Sequence, residues 1–337
     1  MTPPGGMAST PPRPAARSLD DLLAGATSRE PLESTDSKSG AVFERVVIGG
    51  TSYVVKHFRE PDWLADGSRD LSCRSVGLFE DGIYELVADV IDSTVKGVAR
   101  LGAGGWPAAM LMRDASEDFV AVDAAVDMQS HHAFLTAMAA LHARFWERPP
   151  ATTYMPLALT YEFLSPKQAI VERDRLGDRS DVLRAVTPGW VQVAHEMPRA
   201  WAAAVDLLND CSPLVAALER GPKTFVHGDW KMGNLGRGRD GRVVLVDWDR
   251  PMVAPPTVDL AWYVAVNCDR LPESKEETLD FYRESLESLG VPTTVWWHEQ
   301  VTLALLGAFL QLGWSKTGQP DELAWWCAVA ERALRLL

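Results

Sequence analysis

In the first hundred or so residues, apolar and β-branched runs broken by turn residues look like a sheet with one helix inserted, and most of the later chain has apolar residues at helical spacing. Residues 41–48 and Thr51–Phe58 are two β-branched runs on either side of Gly49-Gly50, a pattern that predicts a tight hairpin. A strand is expected before it over residues 29–34. A second, PAAMLM at 107–112, runs up to Arg113-Asp114. Ser18 is placed to cap a short helix over residues 19–26, and one further helix is expected within the sheet region. Beyond residue 114 the period changes. Residues 131–146 carry Phe134, Leu135, Met138, Leu141 and Phe145 on one helical face. Residues 181–209, 213–219, 275–289, 292–314 and 321–337 also read as helical, broken at Pro and Gly. The expectation is an α+β chain in two lobes. A small β-rich lobe covers residues 18–113, and a larger helical lobe covers 114–337. Residues 1–17, rich in Pro, Gly and Ser, are expected to form a disordered tail.

Composition narrows the classes. The chain has 337 residues, 47% of them apolar and 23% charged, which is a globular balance. Its four cysteines, Cys73, Cys211, Cys268 and Cys327, form no CxxC pair, which argues against a zinc or disulfide framework and fits a cytoplasmic location. The net charge of −13 gives no electrostatic basis for binding nucleic acid or an anionic membrane. The longest apolar run, residues 301–312, is too short for a span of roughly 20 residues.

One segment breaks the helical background. Residues 227–234 read HGDWKMGN, and after a turn-like run 243–249 read VVLVDWD. Asp229, Asn234 and Asp247 can converge at one end of a loop between short strands. Phosphoryl transfer needs a carboxylate to orient a hydroxyl, hard oxygen ligands for Mg²⁺, and positive charge on the phosphates. Asp229 suits the first task; Asn234 and Asp247 suit the second. Upstream, Lys56 lies inside the apolar strand YVVKHF, where a lone lysine is costly unless it is paired or reaches a cleft.

His-Gly-Asp-x-x-x-x-Asn followed by an apolar strand ending in Asp resembles the aminoglycoside phosphotransferase and choline kinase-like family, whose fold is similar to that of protein kinases. The resemblance implies Asp229 as catalytic base, Asn234 and Asp247 as Mg²⁺ ligands, and His227 as a residue shaping the loop. It implies ATP or GTP as co-substrate, with Lys56 on the α- and β-phosphates. Lys231, two residues after the base, matches a protein-kinase lysine that touches the transferred phosphate. Asp70 is the favoured acidic partner of Lys56, with Glu80 and Glu85 as alternatives. Ser37 and Ser39, in the stretch 35–40 before the hairpin, stand where a phosphate loop is expected. The stretch around Met112 occupies the hinge, whose backbone pairs with the purine edge. Asp259, in PPTVDLA at 255–261, is expected to bond the catalytic-loop backbone from a helix start, and His142 to be a packed helix histidine. His131 and His132 are adjacent, and are expected to point to different faces of a helix.

The expected activity is transfer of a γ-phosphate to a hydroxyl of a small molecule, acting as monomer or homodimer. An antibiotic competes with a housekeeping alcohol or amino sugar as acceptor. A catalytically silent kinase-like binding module is the rival from another class, and a protein kinase is disfavoured by the lack of an Ala-Pro-Glu segment. Residues 247–337 hold 14 acids against 7 lysines and arginines, a balance that would suit a cationic, sugar-containing acceptor. Late tryptophans could stack on such a ring.

Overall fold

The computed structural model describes residues 13–32, 41–61, 63–102, 104–121, 124–176 and 180–337. The hairpin forms as its pattern predicts. β2 (Val42–Ile48) and β3 (Thr51–Phe58) pair antiparallel, and Gly49 and Gly50 both have positive φ, +57° and +80°. Only glycine turns there without a Cβ penalty. β1 (Ala26–Leu32) pairs with β2, and β5 (Val95–Arg100) and β6 (Ala108–Arg113) complete a five-stranded antiparallel sheet in the order β1-β2-β3-β6-β5. Strand alternation divides it into two faces. Val46, Val55, Ala109 and Leu111 form a small core with Leu23, under the short helix Leu19–Leu22 that Ser18 caps. Lys56, Phe58 and Met110 point to the other face, towards the rest of the chain.

Between β3 and β5 the chain makes three short helices, Trp63–Gly67, Arg74–Glu80 and Ile83–Leu86, where one was expected. Each has two turns or fewer, too short to show a helical period. β4 (Ile91–Asp92) then leaves the sheet and pairs parallel with β9 (Val243–Leu245), which also pairs antiparallel with β8 (Leu235–Arg237). β7 (Thr224–Val226) pairs with β10 (Met252–Ala254).

The remainder is helical. Met128–Arg144 starts at Asp127, whose side chain caps Ser130 N. The stretch 181–209 splits at Met197 into Asp181–Glu196 and Pro198–Asn209. Lys275–Ser288 begins with a capping box between Ser274 and Glu277. Trp297–Leu312 is buried on nearly every side and forms the centre of the large core, with Thr257–Val266 and Pro320–Ala333 against it. Leu157–Glu162 and Pro166–Leu176 were not anticipated. Among the described residues no helix is long and apolar enough to cross a membrane.

Candidate active site

The loop between β7 and β8 is held from behind by one buried carboxylate. Asp259, in the first turn of Thr257–Val266, accepts hydrogen bonds from His227 N at Oδ2 and from Gly228 N at Oδ1, both 2.8 Å. This is the backbone role expected for it. Asp259 is in turn fixed by His142 Nε2 at 3.2 Å, whose Nδ1 lies 2.5 Å from Tyr282 Oη. His142 is thus a packed helix histidine, as expected. Gly228 has φ +81°, and a Cβ there would collide with the Arg250 carbonyl. His227 accepts from Asp229 N at Nδ1 and therefore donates from Nε2 to Val246 O at 3.1 Å. Burial holds its pKa below the ordinary value, so the ring is neutral.

Asp229 emerges from this support with both oxygens engaged. Trp262 Nε1 donates to Oδ1 at 3.0 Å. Asn234 Nδ2 donates to Oδ2 at 3.0 Å, and Lys231 Nζ lies 2.9 Å from the same oxygen. Burial raises the carboxyl, but the charges of Lys231 and Arg250 outweigh it and bring the pKa down to about 2. The Asp229 charge raises Lys231 against its own burial. Asn234 reaches this position through a 3₁₀ turn, Met232–Asn234, tethered where Met232 N donates to Asn267 Oδ1 at 3.0 Å.

Asp247 follows β9 in the left-handed region, φ +62°, which an aspartate tolerates better than a branched residue would. Its Oδ1 meets Lys56 Nζ at 2.6 Å, and this ion pair spans from the sheet to the segment after β9. Burial would lower the lysine, but the charges of Asp247 and Asp249 keep it raised; the same pairing keeps Asp247 low. Met112, opposite Val54 in the β3–β6 ladder, lines the same hollow as Lys56, Met110 and Asp247.

The structure thus gathers Asp229, Lys231, Asn234, Asp247, Lys56 and Met112 around one cleft. It does not bring Asp70 to Lys56. Both Asp70 oxygens accept from Arg74 N, at 2.9 and 3.0 Å, capping the helix that begins there. Glu80 is paired with Arg100 and Glu85 with Arg13, so none of the three expected acids is the partner; Asp247 is. Asp is one methylene shorter than Glu, and here it is used up on the first N–H of the helix that follows it. Ser37 and Ser39 lie outside the described residues. His131 and His132 differ from expectation, since both reach one carboxylate, Glu273, at 3.0 and 3.2 Å. No group of three or more His, Cys, Asp or Glu among the described residues could hold a metal.

A divalent ion shared with a nucleotide asks for less. Among the described residues Asn234 Oδ1 and Asp247 Oδ2 take part in no hydrogen bond, because the Asn234 amide is fixed through its nitrogen and Asp247 through Oδ1. Two such oxygens suit Mg²⁺, which takes one or two protein ligands and completes its shell with phosphates and water.

Two site residues were missed by sequence reasoning. Trp262 is three residues after Asp259, so one helical turn puts both on the loop side; the spacing was a usable signal. Arg250 gave no signal. Its guanidinium carbon lies 5.5 Å from the Phe163 ring and 5.6 Å from the Trp262 ring, a contact between distant segments.

A model of the phosphotransferase enzyme family matches residues 37–289. No curated protein sequence matches the chain. Among solved structures, spectinomycin phosphotransferase APH(9)-Ia with ADP and spectinomycin is 14% identical over 95% of this chain and 98% of its own, with a TM-score of 0.50. Choline kinase LicA from Streptococcus pneumoniae is 15% identical over 94% and 96%, with a TM-score of 0.48. A thermostable mutant of aminoglycoside phosphotransferase APH(4)-Ia is 16% identical over 94% and 97%, also at 0.48.

Proposed function

The chain belongs to the phosphotransferase enzyme family, with the bilobal protein-kinase-like fold, and from that premise we propose that it moves the γ-phosphate of ATP or GTP to a hydroxyl of a small molecule. The observation that carries this reading is the Asp229 carboxylate, buried yet ionised, with Lys231 and Asn234 on one oxygen and the Lys56–Asp247 pair across the cleft.

In this reading Asp229 orients the attacking hydroxyl and receives its proton late. A base that stays ionised down to about pH 2 suits a loose transition state, in which positioning counts for more than early proton removal. Lys231 neutralises charge on the γ-phosphate. Lys56 grips the α- and β-phosphates, and the backbone around Met112 meets the purine. Asn234 and Asp247 would hold Mg²⁺, which when bound neutralises phosphate charge. The nucleotide then sits between residues 18–113 and 114–337, and the acceptor against the helical part. That acceptor is an antibiotic, in a resistance role, or a small alcohol or amino sugar of ordinary metabolism.

Consumption of ATP and GTP is the test, measured with Mg²⁺ against aminoglycosides, macrolides, nucleoside and peptide antibiotics, choline and amino sugars. Acceptor-dependent release of nucleoside diphosphate is expected, abolished by chelation and restored by Mg²⁺. Thermal stabilisation by nucleotide without turnover for any acceptor or for water would mark a silent binding module instead.

A further inference from the structure

Arg250 is a cation beside Asp229 and Asp249, whose carboxyls feel its charge, but it makes no direct ion pair with either. Among the described residues its guanidinium makes no hydrogen bond and no ion pair within 4.0 Å. It lies instead against two rings, Phe163 at 5.5 Å and Trp262 at 5.6 Å. The Phe163 ring is itself stacked on Trp63, 5.1 Å between centroids and 7° between planes. Trp262 is the residue whose indole donates to Asp229. Arg250 thus lies between the Trp63–Phe163 stack and the Trp262 ring that bonds Asp229.

Aromatic faces hold a guanidinium by its π surface and leave the N–H edge free. A guanidinium stays charged at any working pH and carries five donors in a planar fork. Such a fork matches a carboxylate or phosphate in bidentate fashion, and because Arg250 is half-buried its unpaired donors reach solvent, where an anionic ligand can take them. Position selects the ligand. Phe163 and Trp262 both belong to the helical part of the chain, on the Asp229 side of the cleft. The phosphates already have Lys56 and Lys231, and Lys56 comes from the sheet across the cleft.

We propose that Arg250 anchors an anionic group of the acceptor, so that the substrate is a hydroxy acid or another hydroxyl compound bearing a carboxylate or phosphate near the reacting oxygen. This rests on the phosphotransferase reading, and it runs against the cationic acceptor suggested by the bulk charge of residues 247–337. Bulk charge averages over exposed helix faces, whereas Arg250 lies beside the reacting group.

The test uses matched probes with the full chain, Mg²⁺ and ATP: glycerate against glycerol, serine against ethanolamine, glucuronate against glucose, with choline and an aminoglycoside as cationic controls. Nucleotide turnover and stabilisation of the Mg²⁺–AMP-PNP complex are both read. Each acidic member is expected to outperform its partner. Arg250→Gln is expected to raise KM, or the half-saturating concentration for stabilisation, by on the order of 10- to 100-fold for acids alone. Arg250→Lys should recover part of this, and MgADP affinity should stay within about twofold in both variants. Preference for neutral or cationic members, equal effects on all pairs, or no effect of any acid overturns the anchor. A loss confined to nucleotide affinity assigns Arg250 to the phosphates and also overturns it. Absence of turnover with every probe and with water, while acids still stabilise through Arg250, would instead tell against the phosphotransferase reading and leave the anchor standing.

Discussion

Asp229 receives three donors on two oxygens, and that geometry has a consequence for stability as well as chemistry. Its folded pKa of about 2 lies below the ordinary aspartate value of 3.8. A depressed carboxyl contributes stability that is complete above the unfolded pKa and is lost as pH falls through the folded one, here between about 4 and 2. The contribution is on the order of 2 kcal/mol. Denaturant melts of wild type and Asp229→Asn should therefore differ in their slope with pH across that window and run parallel above it. Parallel curves throughout would mean the carboxylate is not held as described. Trp262→Phe keeps the ring but removes the one donor on Oδ1, and turnover should drop by about tenfold, in kcat rather than in nucleotide KM. An unchanged kcat would show that Trp262 is only packing.

Elements explain why this loop can be shaped so tightly. Thr257–Val266 delivers Asp259 to two backbone N–H groups, and the helices carrying His142 and Tyr282 hold Asp259 in turn. Asp259→Ala leaves two buried donors without an acceptor and should cost about 3 kcal/mol, read as a fall in unfolding free energy. A loss under about 1 kcal/mol would mean water replaces the carboxylate. These elements were unequally legible. The convergence of Asp229, Lys231 and Asn234 could be read from HGDWKMGN because these residues lie within a few positions of each other in the chain. The Gly49-Gly50 hairpin was legible for the same reason. Trp297–Leu312 shows no polar face because it is buried all round, so only its length marked it as a helix. Lys56 was placed correctly in its strand but paired with the wrong acid. Asp70, the nearest match to the family pattern, accepts from the first N–H of the helix that follows it, and the true partner is 191 residues away. Arg250 and Phe163 were invisible for the same reason, since cation–π contacts leave no periodicity in sequence.

At the scale of the molecule, the sheet part and the helical part share one large core and are tied across it by the β4–β9 ladder, the Lys56–Asp247 pair, Trp63 on Phe163, Tyr84 on Trp248, and Arg74 Nε donating to Asp249 O. A nucleotide bound between them should tie them further. Saturating Mg²⁺–ADP at about 100 times its Kd should add roughly 2.7 kcal/mol to the unfolding free energy. The gain should shrink on chelation and largely vanish in Lys56→Ala. Equal stabilisation of that variant would place the nucleotide elsewhere.

The central claim is that one carboxylate does the chemistry in a cleft that binds nucleotide without it. The measurement that tests it most directly pairs nucleotide affinity with turnover in Asp229→Ala, assayed with whichever acceptor supports the wild type. The account predicts an Mg²⁺–nucleotide Kd within a few-fold of wild type and a kcat lower by about 10²–10⁴. Wild-type turnover in that variant would contradict it.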